Sequence, residues 1–129
     1  MALKKQLSLC LPNEPGQLAK LCGVLRQAKV NIVAMSVADA SDACIVRIIC
    51  DQGPKAAAAL KRKKYDAIAR DVVAVQLPNK PGALERAARK LARAKINIDY
   101  VYGTTHGKGE DAMVVFAVDN ARKANQALG

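Results

Sequence analysis

Large aromatic side chains are nearly missing from this chain. It has no tryptophan, one phenylalanine (Phe116) and three tyrosines among its 129 residues. That composition excludes a spacious aromatic-lined catalytic cavity. Small helices lying close on a sheet fit it better, since much of the 51% apolar content is alanine. Histidine is almost absent as well, with His106 alone, and the four cysteines (Cys10, Cys22, Cys44, Cys50) include no closely spaced pair. Metal sites need grouped thiolate or imidazole ligands, so no metal is expected. The thiols read as small packed hydrophobes. No apolar run approaches the roughly 18 residues of a membrane span. Gln6 and Ser8 interrupt the apolar residues of the first strand, which argues against a secretory segment. These absences predict a cytoplasmic protein with no membrane partner. There is also no nucleophile–base–acid set and no phosphate loop of the Gly-x-x-x-x-Gly-Lys type. No enzyme activity, catalytic residue or cofactor is expected.

Negative charge is scarce. Eleven Asp and Glu face 21 Lys and Arg, for a formal charge of +10. Such a balance fits either an electrostatic footprint for nucleic acid or solvated helix faces. Arg86, Arg89, Lys90 and Arg93 follow one another at helical spacing along one side. Lys61, Arg62, Lys63 and Lys64 close a predicted helix, where cations suit the negative end of its dipole.

What the sequence does have is a repeat. Asn13-Glu14-Pro15-Gly16-Gln17-Leu18 returns 66 residues later as Asn79-Lys80-Pro81-Gly82-Ala83-Leu84. The copy continues, with Ala28-Lys29-Val30-Asn31-Ile32 matching Ala94-Lys95-Ile96-Asn97-Ile98. Self-similarity at a fixed period identifies the structural unit. Two units are expected, residues 1–69 and 70–129. Each is near the lower limit for burying its own core, so the units should pack together or the chain should dimerise.

Within a unit the pattern alternates between periods of two and 3.6. Residues 5–11 read as a strand, and a helix with Leu18, Leu21, Cys22 and Leu25 on one face follows the Asn13–Gly16 turn. Residues 30–37 and 43–51 read as strands joined by a tight turn, and a helix runs from Gly53 to about Lys63. Residues 65–77 read as one long strand shared by the two units. In the third strand Cys44, Val46, Ile48 and Cys50 share a face that should meet the helices. The opposite face, with Ile45, Arg47 and Ile49, is apolar enough to be covered as well. The order β-α-β-β-α-β is the ferredoxin-like plan. The fold class is therefore α+β, with two such units in tandem and the second lacking its final strand. That loss should leave residues 72–77 needing a neighbour, from the first unit or a second subunit, because a bare apolar edge invites pairing.

Asn-x-Pro-Gly-x-Leu before a helix, then Asn-Ile opening a strand, resembles the ACT domain, a small-molecule-binding regulatory module. Both units carry the motif, and the arrangement is similar to stand-alone tandem ACT proteins. The resemblance implies a non-catalytic protein that binds a free amino acid at the interface between paired units. It also implies a partner enzyme or regulator, and covering the edge of residues 72–77 is expected to give a homodimer. The implied ligand positions are Asn13, Pro15, Gly16, Leu18, Asn31 and Ile32, with Asn79, Pro81, Gly82, Leu84, Asn97, Ile98 and Asp99 in the second unit.

Physical chemistry gives these residues reasons to serve. A helix start offers unpaired N–H groups and a favourable dipole to a carboxylate. Each Asn brings one amide donor and one acceptor to a zwitterion. Asp99 stands where the first unit has Val33 and adds a carboxylate that attracts an ammonium. Gly16 and Gly82 serve either turn geometry or close ligand approach. Asn31 and Asn97 either contact ligand or cap the preceding loop. Tyr100 and Tyr102 either cover an aliphatic ligand or pack between sheets. His106 reads as an exposed loop residue. Leu11 and Leu77 occupy positions where serine-sensing relatives carry an imidazole, a departure from serine recognition. The alternative reading is a basic nucleic-acid-binding module of ferredoxin-like fold. RNA-recognition modules stack bases on aromatics of their central strands. Residues 43–50 and 72–77 hold no aromatic, so nucleic acid is not the expected partner.

Overall fold

The computed structural model describes residues 2–105, 107 and 109–129; His106 lies outside the described residues. The chain divides into a first unit, Lys5–Arg70, and a second, Asp71–Gly129 together with Met1–Lys4.

In the first unit, strand β1 (Ala2–Pro12) leads into helix α1 (Gln17–Gln27), then strands β2 (Ile32–Ala40) and β3 (Ala43–Cys50), and helix α2 (Gly53–Arg62). Strand β3 is central, antiparallel to both neighbours, with Leu9 opposite Val46 and Val37 opposite Val46 from the other side. The expected face carries the core. Leu7, Leu9, Leu11, Val46 and Ile48 pack with Leu21 and Leu25 of α1 and with Ala56 and Leu60 of α2. Leu21, Ile48 and Leu60 have no exposed surface, and each such side chain contributes about 1.5–3 kcal/mol of burial. On the other face Ile49 is only 3% exposed, while Ile45 and Arg47 are half-buried.

The second unit repeats the plan with strand β4 (Ile68–Leu77), helix α3 (Ala83–Arg93), strands β5 (Ile98–Thr105) and β6 (Ala112–Val118), and helix α4 (Ala121–Leu128). Here β6 is central, pairing antiparallel with β4 (Val75↔Val114) and β5 (Val101↔Phe116). Phe116, Val73, Ala87, Leu91 and Ala124 share the core. No strand follows α4 among the described residues. The opening residues of β1 are instead grouped with this unit. Val72 and Val73, in the segment expected to need a neighbour, have no exposed surface.

Three helices end alike, which shifts two predicted strand boundaries. Lys29, Lys64 and Lys95 adopt positive φ (59°, 65° and 59°). Beyond them the N–H groups of Val30, Tyr65 and Ile96 donate to the carbonyls of Leu25, Leu60 and Leu91 at 2.9–3.0 Å. These are the six-to-one bonds that close a helix when its last residue turns left-handed. Val30 and Tyr65, expected to open strands, therefore complete the helices before them. Strand β2 starts at Ile32 and β4 at Ile68. Lysine where glycine is usual hid the signal.

Candidate functional site

The repeated loop is a turn with defined chemistry. Gly16 and Gly82 have φ of 87° and 88° with ψ near zero (−11° and −10°). The N–H of Gln17 donates to the Glu14 carbonyl at 3.5 Å, and that of Ala83 to Lys80 at 3.3 Å. Proline then glycine inside an i-to-i+3 bond is a type II turn, whose third residue requires positive φ. Turn geometry alone thus accounts for both glycines. Among the described residues no side chain caps α1 or α3, so first-turn N–H groups remain available to a ligand at each helix start.

Asn13 and Asn79 brace this turn. The Asn13 Nδ2 donates to Asp39 Oδ1 at 3.2 Å and to the Ser41 carbonyl at 3.1 Å. Asn79 Nδ2 donates to the Gly107 carbonyl at 2.9 Å. In both units the donor end of the amide ties the turn to the hairpin loop, leaving Oδ1 as the group to offer a ligand.

Asn31 and Asn97 sit elsewhere. Each main chain makes a two-bond exchange with an aspartate at the end of the central strand. The Asn31 N–H donates to Asp51 Oδ1 at 3.0 Å and its carbonyl accepts from the Asp51 N–H at 3.0 Å. The Asn97 and Asp119 pair repeats this at 3.2 and 3.3 Å. The two asparagines of a unit do not converge. Pro12 pairs with Ala43 and Ile32 with Cys50, at opposite ends of β3, so Asn13 and Asn31 stand about 23 Å apart at ~3.3 Å per residue. In the second unit Leu77↔Ala112 and Ile98↔Val118 mark the same two ends, about 20 Å apart on that rise. Asp99 lies at the Asn97 end. The pairing register shifts between Ile98 and Tyr100, and between Ile32 and Ala34. At this bulge Asp99 Oδ1 accepts from Asn97 Nδ2 at 3.0 Å. Its carboxylate is engaged locally, away from the Asn79 turn.

A cleft of about 370 Å³ opens at the Asn79 end of the second unit. The turn supplies Pro78, Asn79 and Lys80, and the first residues of α3 supply Ala83 and Leu84. Strand β5 forms the opposite wall from Val101 to Thr105, over a floor of Leu77, Ala112 and Val114. Among the described residues no acidic side chain lines it, while Lys80 and the start of α3 give it positive character. Of the expected positions, Asn79 and Leu84 line this cleft; Pro81 and Gly82 shape its turn; Asn97, Ile98 and Asp99 are at the far end. Around the first-unit turn, Val37 stands where Gly103 does, Gln17 for Ala83, Glu14 for Lys80 and Asp39 for Thr105. Gly103 cannot carry a side chain, because a Cβ there would fall 2.7 Å from the Met113 carbonyl oxygen. The first-unit residues Asn31 and Ile32 border a separate hollow with Cys22, Leu25 and Lys29.

Val101, Gly103, Thr104 and Thr105 line this cleft without having been expected from the sequence. The available signal was the change of Val37 to Gly103 at matched positions, which removes volume from one copy only. Tyr102 lines the cleft and is half-buried, between the exposed Val101 and Gly103 of β5. Among the described residues no group of three His, Cys, Asp or Glu is placed to hold a metal ion, and no helix is long and apolar enough to cross a membrane.

A family model described as an ACT domain pair matches residues 1–128. The chain belongs to the ACT domain pair family. Among solved structures, this ACT pair is 32% identical to protein BT0572 from Bacteroides thetaiotaomicron, with a TM-score of 0.89 over 98% of this chain and 86% of that one. It is 20% identical to the ligand-free regulatory subunit of aspartate kinase from Thermus thermophilus, with a TM-score of 0.72 over 98% and 93% of the two chains. The Thermus flavus regulatory subunit gives 18% and 0.66 over the same shares. The Thermus likenesses establish shared fold. A search of the curated proteins found no match.

Proposed function

We propose that this ACT pair is a non-catalytic regulatory protein that binds a free amino acid in the second-unit cleft. One observation carries the reading: the Asn79 turn, the uncapped start of α3 and the apolar wall from β5 enclose one cleft of about 370 Å³. Pockets for small ligands begin near ~300 Å³. The ligand carboxylate faces the first turn of α3 and Lys80. Its ammonium takes Asn79 Oδ1 and the Thr104 and Thr105 oxygens, and its side chain packs on Leu77, Leu84 and Val101. The apolar floor favours an aliphatic side chain over a charged one.

The cleft is one-sided, because Asn97 lies at the far end of the same unit, too distant to reach the ligand. A site that uses both kinds of asparagine takes them from paired units, and a homodimer supplies that pairing. The regulatory subunits of aspartate kinase share this fold, which supports an output through a partner enzyme or regulator. The unit boundaries near residue 70 and the remaining motif positions (Asn13, Pro15, Gly16, Leu18, Ile32) belong to the same reading as the first-unit half of the assembly.

A thermal-shift panel of the twenty amino acids tests it, since a ligand specific for the folded state stabilises it by mass action. One or a few aliphatic amino acids should raise Tm saturably. A flat response across the panel at millimolar concentration contradicts amino-acid binding.

A further inference from the structure

Behind the turn, the second unit holds another groove, of about 260 Å³, between α3, the end of β4 and the end of α4. Its apolar surface comes from Val75, Leu77, Ala83, Ala87 and Leu128. Two cations stand on it, Arg86 and Lys90, one helical turn apart on α3. Neither has an acidic partner among the described residues, whereas the adjacent Arg89 is bound by Glu85 at 2.8 Å. No acidic residue lines the groove among the described residues.

At two positions that line the groove the second copy carries smaller residues than the first. At the matched positions of the first unit, Leu21 stands for Ala87, Gln17 for Ala83 and Val24 for Lys90. Leu21 is fully buried there. Truncating a packed leucine to alanine leaves space, and replacing valine by lysine sets a charge beside it.

We propose that this groove is a second ligand site, which takes an organic anion with an apolar body, specifically a small aliphatic carboxylate. An inorganic anion would leave the apolar floor unused, and a neutral aliphatic would leave two cations without a counter-charge. Arg86 offers a planar fork that matches a carboxylate, and Lys90 adds a mobile point charge. The site is independent of the amino-acid cleft, although Leu77, Pro78 and Ala83 border both.

Titration of the full-length protein with hexanoate, followed by amide chemical shifts, tests the proposal, with hexanamide as the neutral isostere. Hexanoate should move the amides of Ala87, Lys90 and Leu128, and hexanamide should bind at least about tenfold more weakly, as loss of a charge-assisted contact implies. The Arg86→Gln/Lys90→Gln variant should lose a similar factor, and Arg86→Lys should retain part of it; both sites are exposed, so folding is preserved. Equal binding of the two probes, shifts confined to Val101 and Thr104, or unchanged affinity in the double variant would each overturn it.

Discussion

Replacing Gly82 by alanine separates the turn from the ligand. At φ 88° and ψ −10° an L-residue carries roughly 1–2 kcal/mol of steric strain. Alanine also restricts the unfolded chain, which offsets about 0.4–1 kcal/mol of that. The would-be Cβ lies 3.3 Å from Arg86 Nη1, the mobile end of an exposed side chain that moves aside at little cost. The net loss is therefore about 1 kcal/mol, or a Tm lower by roughly 4 °C in a chain of this size. Gly16→Ala has the same φ (87°) with nothing within 4 Å, so it should lose about as much by the same strain. Urea denaturation of both variants beside the parent measures it. Unchanged stability in either would refute the left-handed turn. A loss several times larger in Gly82→Ala alone would show that Arg86 is fixed rather than mobile.

The lysines that close three helices should respond in the opposite direction. Lys95→Gly removes the strain of a side chain at φ 59° and should stabilise by up to about 1 kcal/mol after the entropy of glycine is subtracted, visible as a higher urea midpoint. Burial, aided by the neighbouring Asp51 charge, raises the Cys50 thiol above its ordinary pKa. The raised value favours the folded state below the ordinary thiol pKa, and this contribution is lost as pH rises through the folded value. At pH 8, timed iodoacetamide labelling with peptide mapping should modify exposed Cys10 well before Cys50; the reverse order would contradict the burial. RNA binding should be weak, unselective and steeply salt-dependent, because Phe116 is fully buried on the helix side of β6 and presents no stacking face. Selective RNA binding that persists at about 200 mM salt would favour a nucleic-acid module.

The fold was largely legible because one pattern was written twice. Leu7, Leu9 and Leu11 alternate, Leu21 and Leu25 follow at helical spacing, and Cys44 to Cys50 show the face that meets the helices. Boundaries failed where lysine took a conformation usually reserved for glycine, as at Lys64, since propensity carries no sign of a six-to-one bond. The site was legible only in part. Asn13 and Asn31 look like one constellation in sequence, but parallel placement of β1 and β2 on either side of β3 sends them to opposite ends. The attraction assigned to Asp99 depended on an open carboxylate. A bulge and an intra-strand bond to Asn97 redirect it, and neither has a sequence signature. Both second-unit cavities are lined by a smaller residue than the first copy carries, Gly103 for Val37 and Ala87 for Leu21, a signal that appears only when the two copies are compared.

The proposed amino-acid site lies beside Leu84 in the second unit. Leu84 and its first-unit equivalent Leu18 are both exposed (49% and 40%), so an aspartate at either position leaves folding intact. Calorimetric titration of the strongest ligand from the thermal-shift panel into parent, Leu84→Asp and Leu18→Asp protein measures the difference. Leu84→Asp sets a negative charge against the ligand carboxylate and should weaken binding at least about tenfold, a penalty of 1.4 kcal/mol, while Leu18→Asp stays within about twofold, well under that threshold. Equal losses in both variants, or full affinity in Leu84→Asp, would contradict it.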